Sequence, residues 1–352
     1  MSGKRNKRLE ALIRTLDPDF AVLTVGVSPL LLNFNFNSSD SPLVIWHGMG
    51  DSYNAPGMLE FIGAIQDMHK GIFVHSVYLA EDTKDDQRAG FWGDVNAQVA
   101  NVSEQLTHIP ELVRGFDAIG FSQGGQFLRA YIERYNSPPV HNLITFGSQH
   151  MGVSDLPLCR PWDLGCQLAR RAARGGVYTE WAQKNLVQAQ YYRDPDQLPT
   201  YYRSSRFLAS INNEVTSDIN TTYATNLASL NKLVLVLFSE DKTVVPKETA
   251  WFGSYAPPPT NDTIFKKTIV PMRMQPVYVE DRIGLKSLDK RGDVVLETCV
   301  GQHMELSTKC WKPLVRRYVG GLEGNATAAV AEMATGAGIQ DRDSQAVLRL
   351  EA

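Results

Sequence analysis

Apolar residues along this chain fall into short continuous runs separated by stretches in which they recur at helical spacing. Leu43-Val44-Ile45-Trp46 is apolar at every position and predicts a buried strand. Met58 to Met68 predicts an amphipathic helix, Ile72 to Leu79 a strand, Val95 to Leu106 a second helix, and Phe116, Ala118 and Ile119 mark another strand. Gln126 to Ile132 returns to helical spacing, and Leu143-Ile144-Thr145-Phe146, Leu233 to Phe238 and Val294-Val295-Leu296 supply further strands. Strands alternating with helices predict an α/β architecture, a mainly parallel sheet covered on both faces. From Gly152 to about Leu230 the alternation stops and the chain is helix-like and rich in Tyr and Arg, which predicts an insertion over the sheet. Residues 42–320 therefore read as one domain carrying a helical insertion at about 152–230. Beyond Gly320 the composition shifts to Ala, Gly, Thr and Asp, so 321–352 is expected to be a poorly ordered tail.

The chemistry centres on Gly120-Phe121-Ser122-Gln123-Gly124, a G-x-S-x-G sequence between a predicted strand and a predicted helix. That context is a nucleophile elbow: the glycines let strand and helix approach closely while the turn exposes the serine hydroxyl. A serine hydroxyl needs a histidine base and an acid to orient that base. In folds that use this elbow the chain order is serine, acid, histidine, with the last two on loops after later strands. Asp241 follows the strand ending at Phe238 and His303 follows the strand near Leu296, so both stand where this chemistry requires them. A solvated carboxylate beside Glu240 would be the reading of Asp241 were it alone; its position between elbow and His303 reverses that.

The remaining histidines fit the base role less well. His69, His75, His108 and His141 flank the wrong elements and read as surface or packing residues, and His150 follows a strand but has no acid in the required order between it and the elbow. His47 lies in His47-Gly48-Met49-Gly50, a glycine-rich loop after the first strand, where a structural role fits better than base catalysis. That loop resembles the segment that supplies an oxyanion donor, so the backbone N–H groups of Met49 and Gln123 are the expected donors.

Composition narrows the setting. The chain has 352 residues, is 43% hydrophobic and carries a net charge of −3 without a basic face, which argues against nucleic acid as a partner. Cys159 and Cys166, and Cys299 and Cys310, form two close pairs without the C-x-x-C spacing of a zinc or redox site. They read as disulfides if the chain passes through an oxidising compartment, or as four buried thiols if it does not. Residues 1–41 are basic and then apolar, the order of a signal region; the alternative is a buried N-terminal strand. The apolar stretch from Phe20 to Leu32 is too short for an ordinary membrane span. Sequons at Asn37, Asn101, Asn220, Asn261 and Asn325 exceed the roughly two that random placement would give, which favours secretion.

Longer stretches carry a more specific signal. Pro42 to Ser52, Gly120 to Ala130, Gly147-Ser148-Gln149-His150-Met151-Gly152-Val153, Trp251-Phe252-Gly253 and Asp281-Arg282-Ile283-Gly284-Leu285 together resemble the palmitoyl-protein thioesterases, over about Pro42 to Arg316. The resemblance implies an α/β-hydrolase fold with Ser122 as nucleophile, Asp241 as orienting acid and His303 as base, no cofactor and no metal. It implies S-acylated proteins or peptides as substrate, a fatty acyl chain held in a groove shaped by the insertion, and a lysosomal, vacuolar or secreted location. Cys159–Cys166 looks like a disulfide of that family, whereas Cys299–Cys310 around His303 looks like a departure. An acyl-CoA thioesterase or lipase with the same triad, and a non-catalytic lipid-binding protein, are the alternatives.

Overall fold

A computed structural model describes residues 41–155, 176–258, 267–321 and 347–349. Six strands, β1 (Leu43–Trp46), β2 (Val74–Ser76), β3 (Phe116–Phe121), β4 (Val140–Phe146), β5 (Lys232–Phe238) and β8 (Val294–Cys299), form one sheet in the order β2-β1-β3-β4-β5-β8. Every pairing in it is parallel. The continuous apolar runs are explained by the two covered faces, because side chains alternate across the sheet. Val44, Trp46, Ala118, Leu143, Leu233 and Leu235 pack on one side with α3 (Val95–Thr107) and α4 (Gln123–Arg134). Leu43, Ile45, Ile119, Phe121, Ile144, Phe146, Val234 and Val236 pack on the other with α1 (Pro56–Met68) and α12 (Thr308–Tyr318). This is the α/β-hydrolase architecture.

Local chemistry sets the element ends. Asp94 caps α3 by accepting from the Asn96 and Ala97 N–H groups, and Asp82 caps α2 (Thr83–Ala89) in the same way through Lys84 and Asp85. The strand expected over Ile72 to Leu79 is only three residues long. Val77 still donates to the Ile45 carbonyl, but the Leu79 and Ala80 N–H groups turn away to Asp86 Oδ1, at 2.7 and 3.4 Å. A buried carboxylate thus draws the chain off the sheet edge.

Between β4 and β5 the described residues are helical: α5 (Glu180–Asn185), α6 (Val187–Gln190), α7 (Leu198–Ser204), α8 (Leu208–Ile211) and α9 (Thr221–Ala228). The last differs from the expected insertion. Leu227 is buried in the main core, Asn226 Nδ2 donates to the Glu133 carbonyl on α4, and α9 leads straight into β5, as a crossover helix of the parallel sheet does. Beyond β5 lie β6 (Ser254–Tyr255) and β7 (Ile269–Val270), which pair antiparallel, then α10 (Pro276–Val279) and α11 (Leu285–Lys290). In the expected tail, Val347–Arg349 forms β10, antiparallel to β9 (Glu305–Ser307).

Asp117 on β3 ties the far end of the domain to the sheet. Its carboxyl is buried and accepts from Asn142 Nδ2 (2.8 Å) and the Gly320 N–H (2.9 Å). Burial pushes it up to about 7, against those donors. The folded chain therefore keeps a proton that the unfolded chain releases near pH 4, and this group makes stability fall as pH rises from about 4 to about 7. Urea unfolding at pH 5 and pH 7 tests this: Asp117→Asn should shrink the wild-type advantage at pH 5 by about 2 kcal/mol. An unchanged pH difference would contradict it.

Candidate active site

The turn after β3 holds Ser122 at φ 50° and ψ −121°, outside the ordinary regions for a non-glycine residue. Two glycines make this turn sterically accessible. A Cβ on Gly120 would run into the Cα of Gly125, and one on Gly124 into the carbonyl oxygens of Trp46 and His47. The Ser122 N–H is anchored to the Phe146 carbonyl (2.8 Å), and α4 begins at Gln123, so its N-terminal N–H groups and dipole lie directly behind the serine.

The other two groups arrive from the ends of β5 and β8. Past the last paired residues, the Ser239 and Glu240 N–H groups still bond the Cys299 and Gly301 carbonyls at 2.9 and 2.8 Å, which holds the two loops side by side. Asp241 Oδ1 accepts from the Thr243 and Val244 N–H groups, each at 2.9 Å, and Oδ2 lies 2.6 Å from His303 Nδ1. His303 Nε2 lies 3.1 Å from Ser122 Oγ. Both the Asp241 and His303 side chains are buried. A proton on Nδ1 shared with the carboxylate leaves the Nε2 lone pair facing the serine hydroxyl, the arrangement that can take a proton from an attacking oxygen. Cys299 and Cys310 form a disulfide, with Cα atoms 5.4 Å apart, that brackets the His303 loop. Cys159 and Cys166 lie outside the described residues.

The loop after β1 packs against the first turn of α4, as the approach of Gly124 to Trp46 and His47 requires. Several residues that fix this region carried no legible sequence signal. Asp86, in a helix that reads as wholly polar, is buried and lies 3.2 Å from His47 Nε2 while accepting from the Tyr53 and Leu79 N–H groups. Burial pushes its carboxyl up, but His47 and these N–H groups outweigh that and hold it below the usual range. His47 is thus a buried partner of Asp86, the structural role expected of it. Gln123 Nε2 donates to the Gly90 carbonyl (3.1 Å), and its Oε1 accepts from the Tyr191 hydroxyl (3.1 Å). Gln188 Nε2 reaches the same carbonyl (3.0 Å) and Met49 Sδ (2.9 Å), so α6 is fastened to Met49 directly and to Gln123 through the shared Gly90 carbonyl.

Behind the elbow, the buried Arg129 joins α4 to the loop after β4 and to α8. It donates to Glu133 Oε1 (2.8 Å), the His150 carbonyl (3.1 Å) and Asn212 Oδ1 (2.8 Å). His150 is fully buried, stacked on Phe252 and bonded to Thr145 Oγ1 (3.0 Å); burial and the Arg129 charge keep its ring neutral. Among the described residues no cluster of side chains could hold a metal ion.

Residues 42–303 match the family described as palmitoyl protein thioesterase. The chain belongs to the palmitoyl-protein thioesterase family. It is 41% identical over 288 residues to palmitoyl-protein thioesterase 1 of Caenorhabditis elegans, covering 82% of this chain and 94% of that one. To palmitoyl-protein thioesterase 3 of Dictyostelium discoideum it is 31% identical over 269 residues, 76% of this chain and 86% of the relative. The lysosomal thioesterase PPT2 of Mus musculus is 28% identical over 296 residues, 84% and 91% of the two chains.

Proposed function

We propose that the protein removes long-chain fatty acyl groups from S-acylated cysteines by thioester hydrolysis. The observation that carries this reading is the continuous relay from Asp241 through His303 to Ser122 in a member of this family. Ser122 Oγ attacks the thioester carbonyl as His303 Nε2 takes its proton, and the Asp241 carboxylate stabilises the imidazolium. The carbonyl oxygen becomes an oxyanion, for which the Met49 and Gln123 N–H groups are the proposed donors, each worth about 3 kcal/mol of transition-state stabilisation. Collapse expels the cysteine thiolate, protonated by His303. Water, activated by the same histidine, then attacks the acyl-serine and releases the fatty acid.

An apolar groove is required because each buried methylene contributes about 0.8 kcal/mol, enough in sum to hold a long chain outside a bilayer. The helices between β4 and β5 are proposed to line it, since α6 reaches Met49, one of the proposed oxyanion donors. A lysosomal or other secretory-pathway location is proposed from the lysosomal relative and the Cys299–Cys310 disulfide. Among the described residues no helix is long and apolar enough to cross a membrane.

The test compares kcat/KM on an S-palmitoyl peptide, a palmitoyl oxygen ester and palmitoyl-CoA. The peptide thioester should be the best substrate. Preference for the oxygen ester would instead make the protein a lipase, and preference for the coenzyme A ester an acyl-CoA thioesterase.

A further inference from the structure

Three large aromatic side chains stand exposed together at the edge of the candidate site. Phe91, Trp92 and Trp181 are 40%, 50% and 58% exposed, and the two indoles meet edge to face with ring centroids 6.3 Å apart. Such a cluster leaves apolar surface in water, which a soluble fold ordinarily avoids unless the surface meets a partner. Its backbone is firmly held. The Val187 N–H donates to the Phe91 carbonyl (3.1 Å), the Gly93 N–H donates to Asn185 (2.9 Å), and Trp92 bridges to Leu186. The neighbouring Gly90 carbonyl takes bonds from Gln123 and Gln188, and the Phe91 ring lies against Gly50. The backbone that carries Phe91 and Trp92 is therefore held beside Gly50 and Gln123.

We propose that Phe91, Trp92 and Trp181 form a platform that seats the protein on an electrically neutral, zwitterionic lipid surface beside the acyl-thioester site, an inference that rests on the thioesterase reading. Indole suits the headgroup region because its apolar body is buried while its N–H stays hydrated. The charges beside Trp181 largely offset: Glu180 pairs with Lys184 (2.9 Å) and Arg206 (3.3 Å), leaving one net positive charge, short of the cluster of cations by which an anionic surface is recognised, which favours a neutral one. A polypeptide partner is less well served, because the Phe91 carbonyl and the Trp92 and Gly93 N–H groups are already bonded within the chain. Preset aromatic groups also lose little conformational entropy on docking. The acyl chain to be hydrolysed starts in such a bilayer, so docking there shortens its path to Ser122.

The test is cosedimentation of the full chain with phosphatidylcholine vesicles, for wild type and Trp92→Ser/Trp181→Ser, at low and high salt. Wild type should partition equally at both salt concentrations, and the double variant about tenfold or more weakly. Hydrolysis of a soluble short-chain thioester by the double variant should be unchanged, which also reports intact folding, while hydrolysis of a palmitoylated peptide in vesicles should fall. Equal partitioning of the two proteins, or binding only to anionic vesicles, would overturn the proposal. So would a loss confined to soluble S-acyl peptides without vesicle binding, which would assign the rings to polypeptide recognition. Indole-dependent vesicle binding by a wild type that hydrolyses no thioester would sustain the platform and count against the thioesterase reading.

Discussion

Replacing Ser122 by alanine is expected to lower kcat on an S-palmitoyl peptide by about 10⁶-fold, the loss seen when the nucleophile of a serine hydrolase is removed. The size of the effect follows from the relay. With the hydroxyl gone, neither the Asp241–His303 pair nor the oxyanion donors have a covalent step to assist, so their contributions vanish together. Alanine leaves the β3 turn and its Phe146 anchor in place, because that bond uses the Ser122 N–H and not the side chain. Acyl-chain binding should therefore survive, and a fluorescent palmitoyl analogue should bind the variant with Kd unchanged. Appreciable thioesterase turnover by the variant would show that another residue is the nucleophile.

Asp241→Asn should reduce kcat by about 10⁴-fold, as when the corresponding acid of other serine hydrolases is made an amide. The local bonds give the reason. Oδ1 accepts two backbone N–H groups, from Thr243 and Val244, so the asparagine oxygen stays on that side and its NH₂ faces His303 Nδ1. A donor there selects the tautomer with the proton on Nε2, which then faces Ser122 Oγ as a donor and cannot accept its proton. Stopped-flow measurement of the acylation step should locate the defect in kcat, with the loop and its disulfide unperturbed. A loss of under tenfold would mean that Asp241 acts only as a loop anchor.

The parts of this molecule that were legible in the sequence are those in which chemistry and periodicity coincide. Leu43–Trp46 and Leu233–Phe238 read as central strands because both of their faces are buried, and Gly120 to Gly124 read as an elbow because the turn tolerates little else. The order Ser122, Asp241, His303 was legible because each follows a strand. Asp86 was not, since a carboxylate among Lys84, Asp85 and Arg88 looks solvated until tertiary packing buries it under the His47 loop. Arg129 was equally hidden, a cation within an apolar helix whose partners His150 and Asn212 lie far along the chain. The strand at Ile72 to Leu79 was overread because the pull of Asp86 on Leu79 is a long-range contact that periodicity does not register. Gln188 and Tyr191 were likewise invisible, as their effect depends on where Gly90 comes to lie.

Rapid quenching of the enzyme with an S-palmitoyl peptide, followed by peptide mass spectrometry, tests acyl transfer through Ser122. One palmitoyl group should appear in ester linkage on Ser122, with peptide thiol released in a burst equal to the enzyme present. Turnover without any acyl-serine, or an acyl group on a different residue, would contradict it.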